Sequence, residues 1–332
     1  HSLKAAFSAY YNSEGRLKAS LQADLFNTLA FESYFEQDAL WDRLSLRTDL
    51  NGSIDSLYFD LTSTLSKFEL DTTLLVESLS LNSEGRLINF NPDLGFNLQA
   101  SNINAAQQLI DSLRLEGGLK DSLLSVNTAA YLPNEISLML NAAAEIGTEM
   151  VVKLSRFDLN SAYADLKLDS DTSYIHYSDS LLRVNNFALI DTKDSLFHLR
   201  AEALVLLPDS LQINTDISEF NLALLSHFGI AEQYMKGRAN LTLNIDGNAK
   251  SFIIDGKTSL KNLELEPLAV SDIRANFYYP GDSARINASI INQLGDSISL
   301  MASSPLNIQL SDSLLINWPK TIKAQLTTNR SR

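Results

Sequence analysis

Apolar and polar residues alternate with a period of two along most of the chain. Leu17, Ala19, Leu21, Ala23 and Leu25 interleave with Lys18, Ser20, Gln22 and Asp24, and Leu241, Leu243 and Ile245 with Asn240, Thr242 and Asn244. Successive side chains on a strand point to opposite faces, so each such run is a half-buried β-strand with one greasy and one wet side. The same rhythm returns at Leu44–Leu50, Leu57–Leu61, Leu211–Ile217 and Ile286–Ile290.

Between the runs stands a recurring tripeptide, Asp-Ser-Leu, beginning at Asp55, Asp111, Asp121, Asp179, Asp194, Asp209 and Asp312, with Asp282-Ser283 and Asp296-Ser297 as variants. Asp and Ser bond their own backbone in turns, so each is expected to be a hairpin tip joining antiparallel neighbours. Two segments break the rhythm and predict short helices. In Ile103–Leu113 the residues Ala105, Ala106, Leu109, Ile110 and Leu113 fall at helical spacing, and Leu222–Met235 follows a candidate N-cap at Asn221. Each is followed by a glycine, Gly118 or Gly237, and a new strand, which suggests degenerate repeats at about 1–102, 103–219 and 220–332.

Prolines and glycines are scattered at turns rather than pooled in linkers, so the pattern predicts one elongated, repetitive, all-β region over 1–332 rather than a string of closed sandwiches. The chain begins and ends in mid-pattern, without initiator Met, signal peptide or apolar run of spanning length, and is expected to be an internal or processed piece of a longer protein.

Composition sharpens this picture. With 45% hydrophobic and 20% charged residues, the chain has enough apolar material to fold. A net charge of -14 without a basic cluster removes the electrostatic basis for binding nucleic acid and for docking on anionic headgroups. Any dealing with lipid must therefore use acyl chains.

Candidate chemistry is sparse. The absence of cysteine removes thiolate nucleophiles and thiolate metal sites, and His1, His176, His198 and His227 lie far apart without metal-ligand spacing. Asp169-Ser170-Asp171 lacks the Gly and distal Glu of a calcium loop and reads as a polar turn. No G-x-S-x-G elbow supports the many serines as nucleophiles, and Gly117-Gly118 lacks the frame of a phosphate loop. Of the adjacent tyrosines Tyr10-Tyr11 and Tyr278-Tyr279, one member of each pair is expected to be exposed. No enzyme, metal or cofactor is expected.

The segment Phe220–Leu265 carries a resemblance. Leu222-Ala223-Leu224-Leu225, then Gly237-Arg238-Ala239-Asn240-Leu241 running to Asp246-Gly247-Asn248, then Asp255-Gly256-Lys257 leading into Leu260 and Leu263, is similar to the TamB and AsmA group of bacterial envelope proteins. The Ser-, Asn- and Leu-rich wording also resembles the long versions found in the Bacteroidota. The resemblance implies an antiparallel sheet curled into a taco or groove, placed in the periplasm of a Gram-negative cell. It further implies a parent chain anchored in the inner membrane, passage of phospholipid toward the outer membrane, and a partner barrel of the Omp85 type, TamA-like, in outer-membrane protein assembly.

The lining expected for such a groove is Leu17, Leu21, Leu44, Leu46, Leu57, Phe59, Leu61, Leu211, Ile213, Ile217, Leu241, Leu243, Ile245, Ile286, Ala288 and Ile290. Alternation alone is equally compatible with an opposing sheet sealing these residues into a dry core, as in a structural or binding β-repeat such as an envelope spacer or surface adhesin.

Overall fold

A computed structural model of the chain describes residues 2–26, 39–53, 55–70, 73–89, 91–105, 108–206, 208–227, 235–265, 268–310, 314–317 and 321–330. Among them it is all-β and antiparallel, with twenty-four strands and one five-residue helix. The chain divides into two compact units, residues 1–147 with 154–162, and residues 148–153 with 163–332.

The first unit is a meander of β1 (Ser2–Tyr11), β2 (Arg16–Phe26), β3 (Ala39–Leu40), β4 (Arg43–Ser53), β5 (Ser56–Leu70), β6 (Leu74–Ile88), β7 (Asn91–Ala105), β8 (Gln108–Lys120), β9 (Leu123–Leu132) and β10 (Ile136–Glu145). Each strand pairs with its sequence neighbours, except that β3 and β4 share one edge of β5. Strand β11 (Met150–Asn160) gives its first residues to the second unit and the rest to the first.

The second unit begins with β12 (Asp165–Leu168) and β13 (Ser173–Tyr177), which both pair with β14 (Leu181–Asp191). The meander continues through β15 (His198–Leu206), β16 (Ser210–Asn221), helix α1 (Ala223–His227), β17 (Lys236–Asn248), β18 (Ser251–Leu265), β19 (Leu268–Tyr279), β20 (Ser283–Asn292) and β21 (Ser297–Pro305). Strands β22 (Asn307–Leu310) and β23 (Leu314–Asn317) form a separate hairpin, after which β24 (Lys323–Asn329) returns to pair with β21.

The tips fall mostly where Asp-Ser was expected to turn the chain. Asp55, Asp121, Asp179, Asp194, Asp209, Asp282 and Asp296 all lie between consecutive strands, while Asp312 lies outside the described residues. At Asp121 (φ 48°) and Ser122 (φ 67°) both loop residues are left-handed, the geometry of a tight two-residue hairpin. The Asp169–Asp171 segment is a turn between β12 and β13.

Asp111 is a correction, because it lies inside β8, and with it falls the helix expected over Ile103–Leu113. The cause is a set of strand irregularities. Lys67 in β5 and Asn102 in β7 have left-handed φ of 46° and 49°, and the pairing skips one position there, as between Ser101↔Ser112 and Ile103↔Ile110. Two polar residues then separate apolar residues that share a face, as in Val76 and Leu79, Ala100 and Ile103, and Ile110 and Leu113, all in one cluster. A spacing of three in the sequence is thus produced by a kinked strand, and it imitates a helix.

The second unit repeats the device. Asn186 in β14, Glu219 in β16 and Asn262 in β18 have φ of 55°, 51° and 51°, and the register shifts between Val184 and Phe187 and between Ile217 and Phe220. The repeat boundaries expected at 102/103 and 219/220 fall inside β7 and β16, at these left-handed residues.

The helix expected over Leu222–Met235 is described only as α1, with residues 228–234 outside the described set. Its cap is as expected: the Ala223 amide donates to Asn221 Oδ1 at 3.1 Å. Leu222, Ala223 and Leu224 are buried, and in the same unit Phe197 is buried with its ring 6.1 Å from that of Phe220.

Candidate functional site

Strand register decides which side chains share a face. In the first unit Leu17 lies opposite Gly52 and that residue opposite Leu57, while Leu21 leads through Thr48 to Leu61. Leu44 faces Leu25 and Leu65, Leu46 faces Ala23, and Phe59 faces Leu50 and Gly85. All the lining residues expected here therefore stand on one side of the sheet. On that side of β1–β10 no paired position carries a charged residue.

The second unit follows the same rule. One cross-strand row runs Ala201, Thr215, Leu243, Gly256, Phe277, Ile286, Ala302. The next runs Leu199, Ile217, Leu241, Thr258, Ala275, Ala288, Leu300 and Leu326. Leu211, Ile213, Ile245 and Ile290 share this face, and from β15 to β21 and on β24 it carries no charge. The threonine hydroxyls do not disturb it where they bond backbone: Thr258 donates to the Asn240 carbonyl at 3.0 Å.

The opposite face holds the charges. Arg43 pairs with Asp24 at 2.9 Å and stacks over the Phe26 ring, and hydrogen bonds from Arg43 and Ser45 hold the Asp24 carboxyl below the usual carboxylate range. Arg86 pairs with Asp93 at 3.1 Å, and the ion pairs Arg114–Glu116 and Arg274–Asp272 follow the same pattern within single strands. His198 Nε2 lies 2.8 Å from Asp216 Oδ1 and His176 Nδ1 lies 2.9 Å from Glu149 Oε1, two separate pairs rather than one site. No group of three His, Asp or Glu side chains able to hold a metal occurs among the described residues.

Burial distinguishes this uncharged face from a sealed core. Of the expected lining residues only Leu211 is fully buried, at 5% exposure, whereas Ile286 and Ile290 are 39% and 41% exposed and the others are half-buried. In a β-sandwich an opposing layer about 10 Å away would cover such positions. At the β1 edge Leu3, Phe7 and Tyr11, on the same face, are exposed, and Tyr10 is exposed as well. Tyr278 and Tyr279 instead divide as expected, at 38% and 1%.

Fully buried apolar residues concentrate toward the strand ends. Around the kinks of the first unit lie Val76, Ala100 and Ile103, packed by Phe68, Leu74, Leu79 and Ile110. In the second unit Leu211, Phe252 and Tyr279 form a cluster packed by Ile213, Ile245, Ile254, Leu306 and Ile308. Alternation missed the role of Leu306 and Ile308, which reach this cluster from outside the large sheet. The one available signal was the long stretch between β21 and β24.

No protein-family model, curated protein or solved structure matches the chain. No helix among the described residues is long and apolar enough to cross a membrane.

Proposed function

We propose that the uncharged face of each unit receives the acyl chains of phospholipid, and that the chain is part of a non-enzymatic, periplasmic lipid conduit of the TamB and AsmA type. The observation that carries this reading is the pairing of two properties on one surface. Long cross-strand rows contain no charge, and most of their leucines and isoleucines are partly rather than fully buried. Moving lipid through water exposes acyl methylenes at about 0.8 kcal/mol each, so a sixteen-carbon chain costs roughly 12 kcal/mol without shelter. A face of Leu, Ile and Ala supplies that shelter and offers few directional contacts to arrest a moving chain.

The resemblance in Phe220–Leu265 extends the reading to a parent chain anchored in the inner membrane and an Omp85-type barrel as the outer-membrane partner, with a linked role in barrel-protein assembly. A second reading, a scaffold or binding β-repeat with a dry core, draws on the two buried clusters. Mass spectrometry of lipid copurifying with the protein separates the two. Bound phospholipid supports the conduit, and its absence from protein purified without detergent supports the scaffold.

A further inference from the structure

The Asp-Ser-Leu tripeptide is more constant than the turns that hold it. Asp121 and Ser122 are the two loop residues between Lys120 and Leu123, and both are left-handed, with φ of 48° and 67°. Asp179 and Ser180 also fill a two-residue loop, closed by the Ser178 amide to the Leu181 carbonyl at 2.8 Å, but neither is left-handed. At Asp55 and Asp209 only the Asp lies in the loop, and Ser56 or Ser210 opens the next strand. Turns of different hand favour different residues, and a left-handed pair favours Asn-Gly or Asp-Gly over Asp-Ser. Turn geometry therefore does not select one tripeptide for all these places.

Nor do the turns use its side chains. At other tips a side chain bonds the backbone that it turns: Asn12 Oδ1 accepts from the Glu14 and Arg16 amides, and Asn248 Oδ1 from those of Lys250 and Ser251. Of the described Asp-Ser-Leu tips only Asp194 does this, accepting from the Leu196 amide at 3.1 Å. The carboxylates of Asp121 and Asp179 and the hydroxyls of Ser122 and Ser180 make no hydrogen bond or ion pair among the described residues. Asp121, Ser122 and Leu123 are all exposed, as are Asp179 and Ser180. A left-handed serine is strained where glycine is not, so a serine kept at Ser122 with its hydroxyl unbonded and in solvent points to a use outside the turn.

We propose that Ser122 and Ser180 are sites of O-glycosylation, modified by a transferase that reads the Asp before the serine and the Leu after it. In that step Ser Oγ attacks the anomeric carbon of a sugar carried on a diphosphate. The new C–O bond replaces the bond to phosphate, the diphosphate leaves, and the hydroxyl proton passes to a base of the transferase. A hairpin tip presents the three residues clear of the sheet. The group added is a neutral sugar rather than phosphate, because a phosphate would set a second anion beside Asp121 or Asp179 in a chain whose net charge is already -14. Bulky, hydrated groups at the strand ends would also hinder the half-exposed apolar faces of two molecules from meeting. The proposal is independent of the lipid reading.

The test is peptide mass spectrometry, with fragmentation that keeps side-chain groups attached, on the full chain isolated from the cell that makes it. A sugar-sized mass increment is expected on Ser122 and on Ser180. Asp121→Asn is the discriminating variant, since Asn adopts the left-handed conformation at least as readily as Asp and keeps the turn. It should abolish the increment on Ser122 and leave that on Ser180. Bare hydroxyls at both serines of the unchanged protein, phosphate in place of sugar, or an undiminished increment in Asp121→Asn would each overturn the proposal. A second measurement needs no transferase: with both proteins made by cell-free translation, Ser122→Gly should have a urea midpoint equal to or above that of the unchanged chain. A lower midpoint would show that the fold itself requires the serine, and would remove the ground for the proposal.

Discussion

Replacing Leu243 by Asp tests the lipid-facing assignment at a position whose surroundings are well defined. Leu243 lies between Thr215 on β16 and Gly256 on β18, in the middle of an uncharged row, and is half-buried. Full burial of a leucine contributes roughly 1.5–3 kcal/mol, so losing a half-buried one costs the fold about 1 kcal/mol. The effect on lipid is larger. A carboxylate on this face keeps its hydration and excludes the three or four methylenes that would pass over it, at about 0.8 kcal/mol each. That amounts to about 3 kcal/mol, close to a hundredfold weaker retention. Asn244→Lys, one residue away on the wet face opposite Asn214 and Asp255, is the control and is expected to retain lipid as the unchanged protein does. The assay is quantitative lipid mass spectrometry of matched preparations, followed by transfer between labelled vesicles. Equal lipid in the Leu243→Asp and Asn244→Lys proteins would falsify the assignment of this face.

Other consequences concern the fold that holds the face. Ile290→Asp, on the same face, should lower lipid retention, whereas Asn287→Asp should not, by the same mass-spectrometric measure. Gly247 (φ 144°) leaves no room for a side chain, since a Cβ there would stand 2.6 Å from the Phe252 Cα, so Gly247→Ala should destabilise by about 2 kcal/mol or more in urea unfolding. Asn102 (φ 49°) is left-handed inside β7, so Asn102→Val should cost about 1–2 kcal/mol and Asn102→Gly far less, checked by the same titration. The Glu219 carboxyl lies below its ordinary range, first because of the hydrogen bond from Lys261, 2.7 Å away, and then that of Asn240. A depressed carboxylate stabilises fully above its unfolded value, about 4.3, and the contribution disappears as pH falls through the lower folded value. The difference in melting temperature between the unchanged protein and Lys261→Met should therefore be present at pH 6 and shrink below about pH 4.

Much of this architecture was legible because a half-buried strand writes its geometry in the sequence. Leu241, Leu243 and Ile245 needed no structure to be placed on one side, and Asn221 marked its helix by the preference of an amide side chain for the cap. The segment from Ile103 to Leu113 was not legible, since the pairing skips Asp111 opposite the left-handed Asn102 and leaves Ile110 and Leu113 on one face at the i, i+3 spacing of a helix. Such a kink depends on one backbone dihedral that an ordinary residue adopts, and composition does not announce it. The role of Leu306 and Ile308 escaped for another reason: their alternation resembles that of any strand, and only tertiary packing takes them off the sheet. Exposure was also unreadable, because period two specifies which side is apolar and not whether anything covers it.

That cover is best tested by photocrosslinking in cells. A photoreactive residue at Leu46, Ile213 or Ile245 looks out from the uncharged face, and one at Arg47, Asn214 or Asp246 from the charged side. Phospholipid adducts, identified by mass, should form at the first three positions and be absent from the second three. Adducts at neither set, or equally at both, would contradict acyl chains lying against a face that no second layer seals.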